Sequence, residues 1–165
     1  MIIREAIDTD AERLANLIGE VDKSSEYMLW EPGEREISTE KQLKMIDVLR
    51  KSGNSTILVA ENSDVLVGYL FGIGGNAKRN KHTAYIVIGI SERSRGIGVG
   101  TRLFNELDSW ATANSIHRLE LTVVSKNKAG LSLYKKAGFE IEGTKRQSLI
   151  IDGKFVDEYH MAKLF

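Results

Sequence analysis

Apolar residues recur along the chain in two alternating rhythms, and the switches between them outline the elements. Ile2, Ile3 and Ala6 around Arg4 and Glu5 read as a short strand. Thr9 and Glu12 have capping-box spacing, and Ala11, Leu14, Ile18 and Val21 follow at helical intervals. A second helix is predicted after Thr39 and Gln42, with Leu43, Ile46 and Leu49 on one face and Ser52-Gly53-Asn54 as its stop. The period then shortens. Residues 56–60 and 65–73 predict a hairpin across the four-residue polar loop 61–64, and residues 82–90 predict a further strand. Val99, Leu103, Leu107 and Trp110, with Phe104 beside them, form the buried stripe of a third helix. Residues 118–124 read as a strand and 127–137 as a helix, with Asn127 as N-cap and Gly138 just past its end. Residues 139–150 and 154–163 are two late strands joined at Asp152-Gly153.

The order β α α β β β α β α β β predicts an α+β fold built on a mixed, mostly antiparallel twisted sheet. About seven strands and about four helices are expected in a single domain over residues 1–165. The strand–helix–strand unit in the middle should be a right-handed crossover. No repeat, low-complexity tract or linker interrupts it. The single proline, Pro32, lies in the least patterned stretch, residues 22–37.

Composition narrows the function classes. With no cysteine in 165 residues, disulfides and cysteine-based zinc sites are excluded. The 23 basic and 23 acidic residues balance, which argues against a nucleic-acid partner. The N-terminus turns charged too early for a signal peptide, and the longest apolar run is too short to span a bilayer, so a cytoplasmic protein without a membrane partner is expected. Asn54-Ser55-Thr56 fits a glycosylation sequon and is read as a turn before a strand. His82, His117 and His160 are scattered without metal spacing, so no metal is expected.

The chemistry sits in Arg95-Gly96-Ile97-Gly98-Val99-Gly100, between a predicted strand and helix. Glycines at alternate positions allow a sharp turn, and the free N–H groups of the following helix form an anion site. Arg95 adds charge at the rim, and a phosphate or pyrophosphate is the natural guest. A Walker loop is absent. The dinucleotide fingerprint fails at its third glycine, where Thr101 or Leu103 stands.

At this loop the chain resembles the GNAT superfamily of acyl-CoA-dependent N-acyltransferases. That family's pyrophosphate motif, [Q/R]-x-x-G-x-[G/A], is met from Arg95 to Gly100. A second family signature also matches, with Asn127, Ala129 and Tyr134 on a helix closing at Gly138-Phe139. The resemblance covers essentially the whole chain and implies acetyl transfer from acetyl-CoA to a primary amine by direct attack. The acceptor would be a small cationic amine, an amino acid derivative or a peptide amine. It also implies roles. The backbone of Ile88, Gly89 and Ile90 would pair with the pantetheine arm, and the Ile88 N–H would serve the thioester oxygen. Arg95, Gly96, Ile97, Gly98, Val99, Gly100 and Thr101 would hold the pyrophosphate. Asn127 would touch the cofactor or act as a plain helix cap. Tyr134 would protonate the leaving thiolate or be a core aromatic. Glu120 is the candidate general base, with a salt-bridged carboxylate as the alternative. Tyr27, Trp30, Glu31 and Glu34 would recognise a cationic acceptor by charge and cation–π contact, or form a solvated acidic loop. Relatives are often dimers, which makes a homodimer the expected assembly. A non-catalytic acyl-CoA sensor and a nucleotide-dependent oxidoreductase stand as alternative readings.

Overall fold

A computed structural model describes all residues, Met1–Phe165. The sheet has seven strands in the order β1-β2-β3-β4-β5-β7-β6. They are β1 (Ile2–Glu5), β2 (Thr56–Asn62), β3 (Val65–Gly74), β4 (Thr83–Ile90), β5 (Arg118–Val124), β6 (Glu140–Ile151) and β7 (Lys154–Leu164). All neighbours are antiparallel except β4 and β5. Four helices flank it: α1 (Ala11–Ser24), α2 (Thr39–Ser52), α3 (Val99–Ala113) and α4 (Lys128–Lys136). The predicted α+β class and element order are both observed. A mostly antiparallel sheet also removes the oxidoreductase reading, which needs a doubly wound parallel one.

The central strands are apolar on both faces because both are covered. Leu58, Leu70, Ile86 and Leu121 pack with Leu103 and Leu107 of α3 on one face. Ile57, Val59, Tyr69 and Phe71 pack with Leu14, Ile18 and Ile46 of α1 and α2 on the other. We call these the α3 face and the α1 face. Beyond the reach of α1 and α2, the α1 face of β5 and β7 carries the part-exposed Glu120, Thr122 and His160.

Local details depart from the sequence reading where side chains find better partners. Thr9 and Glu12 do not cap α1. Asp10 is the N-cap residue, and its buried carboxylate takes the Ile7 N–H at 2.8 Å and the Arg4 and Arg13 guanidinia. Ser38, not Thr39, caps α2 by accepting from the Lys41 N–H. Leu43 is exposed while Ile46 and Leu49 are buried, because α2 touches the sheet only through its C-terminal half. The β2–β3 turn is tighter than expected. Both strands run to Asn62 and Val65, and only Ser63 and Asp64, both at positive φ, bridge them.

Candidate active site

The glycine loop leaves the end of β4 through a short 3-10 turn, Glu92–Ser94. Gly96 and Gly98 lie at φ 75° and 89°, the left-handed region that a side chain disfavours. Between them the chain turns so that α3 starts at Val99 with its N-terminus open. The N–H groups of Gly96, Ile97, Gly98, Val99, Gly100 and Thr101 donate to no protein acceptor; the first amide of α3 to be satisfied is that of Arg102. Successive unpaired donors at the positive end of a helix dipole make a strong anion cradle. Its donor count suits a pyrophosphate, so these residues fit the phosphate arm of a coenzyme A thioester.

Two loop residues act differently from their sequence reading. The Arg95 guanidinium does not stand free at the rim. It donates to the Ile90 carbonyl at 3.2 Å and to Ser24 Oγ at 3.0 Å, tying the loop to the end of α1. Gly100 serves packing. A Cβ there would lie 2.7 Å from Leu133 Cδ2, so its bareness lets α3 and α4 approach.

The cleft beside this loop follows from strand pairing. β4 and β5 pair only at Thr83–Arg118, Ala84–Leu119 and Tyr85–Glu120, and then diverge. On its other side β4 stays paired with β3 to Ile90. Antiparallel ladders alternate their hydrogen-bond direction. Ser91 N–H donates to Val67 O, and Gly75 N–H to Thr83 O, so odd-numbered residues of β4 face β3. The backbone groups of Ile86, Ile88 and Ile90 therefore face β5, as His82 does when its carbonyl receives the His117 and Arg118 N–H groups. Beyond the last paired residues, the Ile88 N–H faces the opening between the strands. Gly89 faces β3 instead, and its bareness admits the Tyr69 ring, which a Cβ would meet at 2.3 Å. The Tyr69 hydroxyl is buried without a partner there. Burial pushes that phenol's pKa well above its usual value.

α4 closes the α3 face of the cleft. Asn127 caps it, its Oδ1 accepting the Gly130 N–H at 2.9 Å. Tyr134 packs edge-on against Phe104 at 5.8 Å and Phe139 at 6.3 Å. Its hydroxyl makes no hydrogen bond within the protein. Burial, with the Tyr85 phenol adding to it, pushes the Tyr134 pKa up to about 12. Both readings of Tyr134 are thus compatible: the ring is core and the hydroxyl is a protonated donor. Next to Thr101, α3 and α4 enclose a cavity of about 350 Å³ that includes Phe104, Asp108, Leu133, Lys136 and Lys163.

On the α1 face, Glu120 is ion-paired. Its Oε2 lies 2.9 Å from Arg118 Nε and 3.8 Å from His160 Nε2. Arg118 also grips Glu142 of β6. Thr122, two residues on, meets the Tyr85 hydroxyl at 2.8 Å. Strand alternation already puts Thr122 on the Glu120 face, but only strand register brings Tyr85 and His160 beside them: Thr122 pairs with His160, and Glu120 with Tyr85 and with Ala162.

The 24–37 stretch is not the open cationic trap expected of it. Trp30 already carries the Arg35 guanidinium 5.9 Å above its ring. Arg35 is held by the buried Asp22 at 2.9 Å. The Glu34 carboxylate accepts the Glu31 N–H at 2.9 Å, and Glu31 itself is exposed. Only Tyr27, half-buried, keeps a free side-chain hydroxyl. Part of this loop's charge is thus satisfied locally, by Asp22 on Arg35 and by the Glu31 N–H on Glu34.

No group of three His, Asp or Glu residues is placed to bind a metal, and no helix is long and apolar enough to cross a membrane.

Comparison with known proteins agrees with this geometry. Residues 21–139 match the sequence model of the acetyltransferase (GNAT) family. The chain is 33% identical over 118 residues to the L-amino acid N-acetyltransferase AaaT of Escherichia coli strain K12, covering 69% of this chain and 70% of that protein. Its fold matches the GNAT-family acetyltransferase structure from Streptococcus pneumoniae with a TM-score of 0.95 and 31% identity, over 99% and 98% of the two chains. At 20% identity it shares the fold of YncA from Salmonella typhimurium, solved with its cofactor acetyl-CoA, with a TM-score of 0.87 over 99% and 92% of the chains.

Proposed function

The chain belongs to the acetyltransferase (GNAT) family and is an acetyl-CoA-dependent acetyltransferase, and from that premise we propose that its acceptor is a small primary amine of the amino-acid class, acetylated by direct attack. The observation that carries the proposal is the pairing of two backbone features: the unpaired N–H groups from Gly96 to Thr101, and the Ile88 N–H facing the opening where β4 and β5 part. The first fits a pyrophosphate, and the second lies one strand's end away, where the thioester of the same donor would reach.

The donor supplies an activated acetyl group; the protein supplies position, charge and proton routes. The Ile88 N–H is aimed where negative charge develops on the thioester oxygen. Ile90 extends the same edge for the pantetheine arm, whereas Gly89, whose backbone groups face β3, does not. Tyr134, kept protonated, offers its proton to the departing thiolate. Glu120, on the α1 face, belongs to the route by which the amine loses its proton. With no cysteine, no thiol of this chain can carry the acetyl group, so the amine attacks the bound thioester itself.

The relative's amino-acid specificity supports the acceptor class. Tyr27 and the exposed Glu31 are the remaining candidates for acceptor contact. The test is acetyl-CoA consumption with mass detection of products across amino acids, polyamines, aminoglycosides and peptides. Acetylated amino acids are the expected product. Acetylation of polyamines alone would overturn the acceptor class. Binding of acetyl-CoA with no acetylated amine in any arm would point to a sensor module.

A further inference from the structure

We propose that His160 is the group that accepts the acceptor amine's proton, with Glu120 as the positioning carboxylate beside it. The inference rests on the acetyl-transfer reading above and deepens it, by separating two roles that the single candidate Glu120 was asked to fill.

A free alkyl amine is mostly protonated at neutral pH, since its pKa is about 10, so it must lose a proton before it can attack. The group that takes this proton has to face the acceptor side of the cleft, keep a free lone pair and change charge near neutrality. Glu120 meets the first requirement and fails the second at its nearer oxygen, because Oε2 is held 2.9 Å from Arg118 Nε. His160 meets the first two, and it carries the side-chain type suited to the third. It is side by side with Thr122 in the β5–β7 register, on the α1 face, and its side chain is 34% exposed, so a ligand can reach it. Thr122 in turn is bonded to Tyr85 of β4, which puts His160 one strand from the point where β4 and β5 separate. Its Nε2 lies 3.8 Å from Glu120 Oε2, so a proton taken there gains a carboxylate partner as charge forms. An imidazole is the side chain whose unperturbed charge changes between about pH 5 and 8.

The other charged groups around His160 fit this use. Tyr85 comes from β4, Arg118 and Glu120 from β5, and Glu142 from β6. Glu158, the next residue of β7 on the same face, bonds Ser148 and pairs with Lys145. Arg118 hydrogen-bonds both Glu120 and Glu142, and these bonds hold the Glu142 carboxyl below the usual range. His160 is left as the one group of this set whose ring nitrogens make no hydrogen bond.

The step balances without a further reactant. The ammonium first gives one proton to His160 Nε2, directly or through one water; the neutral amine then attacks, and as the N–C bond forms and the C–S bond of the thioester breaks, the nitrogen's second proton passes to solvent. The sulfur takes the Tyr134 proton. Solvent then returns a proton to Tyr134 and removes one from His160.

The experiment compares the wild-type protein with His160→Gln and His160→Ala, using the best acceptor from the amine panel. In the wild type kcat should rise with pH between about 5 and 8, because the base must be neutral to work. In His160→Gln that rise should vanish and kcat should fall by about 10²-fold or more, with melting temperature and acetyl-CoA affinity unchanged. Added imidazole should restore part of the activity of His160→Ala. With a weakly basic acceptor amine, already neutral, the loss should be much smaller. A His160→Gln profile that keeps the wild-type rise and rate overturns the proposal. So does a loss of rate that is equal for basic and weakly basic amines and is not rescued by imidazole. Failure of the acetyl-transfer reading looks different, since the wild type would then acetylate no amine at all.

Discussion

The Tyr85 hydroxyl and Thr122 Oγ1 lie 2.8 Å apart and join β4 to β5 just past their last paired residues, Tyr85 and Glu120. A side-chain bond thus takes over where the backbone ladder ends, and it sets how far the strands splay on the α1 face. Tyr85→Phe removes this bond with little change of shape. A hydrogen bond of this kind contributes about 1 kcal/mol. The expected result is a several-fold rise in KM for the amine with acetyl-CoA affinity unchanged, read by steady-state kinetics and calorimetry.

Gly98 sits at φ 89° with open space around it, so conformation rather than volume demands glycine. Gly98→Ala should cost about 1–2 kcal/mol of loop strain. Relief of that strain rotates the N–H groups of the cradle. Acetyl-CoA affinity should fall at least tenfold, measured by calorimetry, and the ligand-induced rise in melting temperature should shrink with it.

Tyr134→Phe keeps the ring against Phe104 and Phe139 and removes only the proton donor. With the phenol pKa pushed up to about 12, Tyr134 stays protonated through neutral and mildly alkaline pH. Wild-type kcat should therefore show no decline from this group until strongly alkaline pH. In Tyr134→Phe kcat should drop by about 10²-fold at every pH, while melting temperature holds. Unchanged turnover across pH would remove Tyr134 from the chemistry.

Asp10 makes stability sensitive to acid. Burial works to raise its pKa, but hydrogen bonds from Arg4, the Ile7 N–H and Arg13 outweigh it and lower the value from 3.8 to about 2. A depressed carboxyl pKa adds stability that is complete above the unfolded value and disappears as pH falls through the folded one. The contribution is on the order of 2 kcal/mol at neutral pH, lost between about pH 4 and pH 2. Asp10→Asn should melt lower than wild type at pH 7, and the two curves should converge near pH 2. Thermal denaturation monitored by circular dichroism reads both.

By itself the sequence determined the elements and the cofactor loop. Hydrophobic period marks each strand and helix, because a strand or helix must bury one side. The alternate glycines before Val99 announce the anion cradle, since that local geometry depends on neighbours in the chain. The Asn127 cap was legible for the same reason, and its Oδ1 does accept the Gly130 N–H, whereas Tyr134 stood out only through the family's helix signature. The polar cluster beside the β4–β5 opening was not legible. His160 meets Glu120 and Thr122 only through the β5–β7 register, and Tyr85 joins them only through the β4–β5 register. Register is a long-range property, fixed by how whole strands pack, and no local pattern encodes which residue faces which across two strands. The same holds for charge. Composition suggested acidic side chains awaiting a cation, but the folded chain brings Arg35 to Asp22 and Trp30, and Glu34 to a backbone N–H. Partners within reach satisfy one another, and only the tertiary structure decides who is within reach.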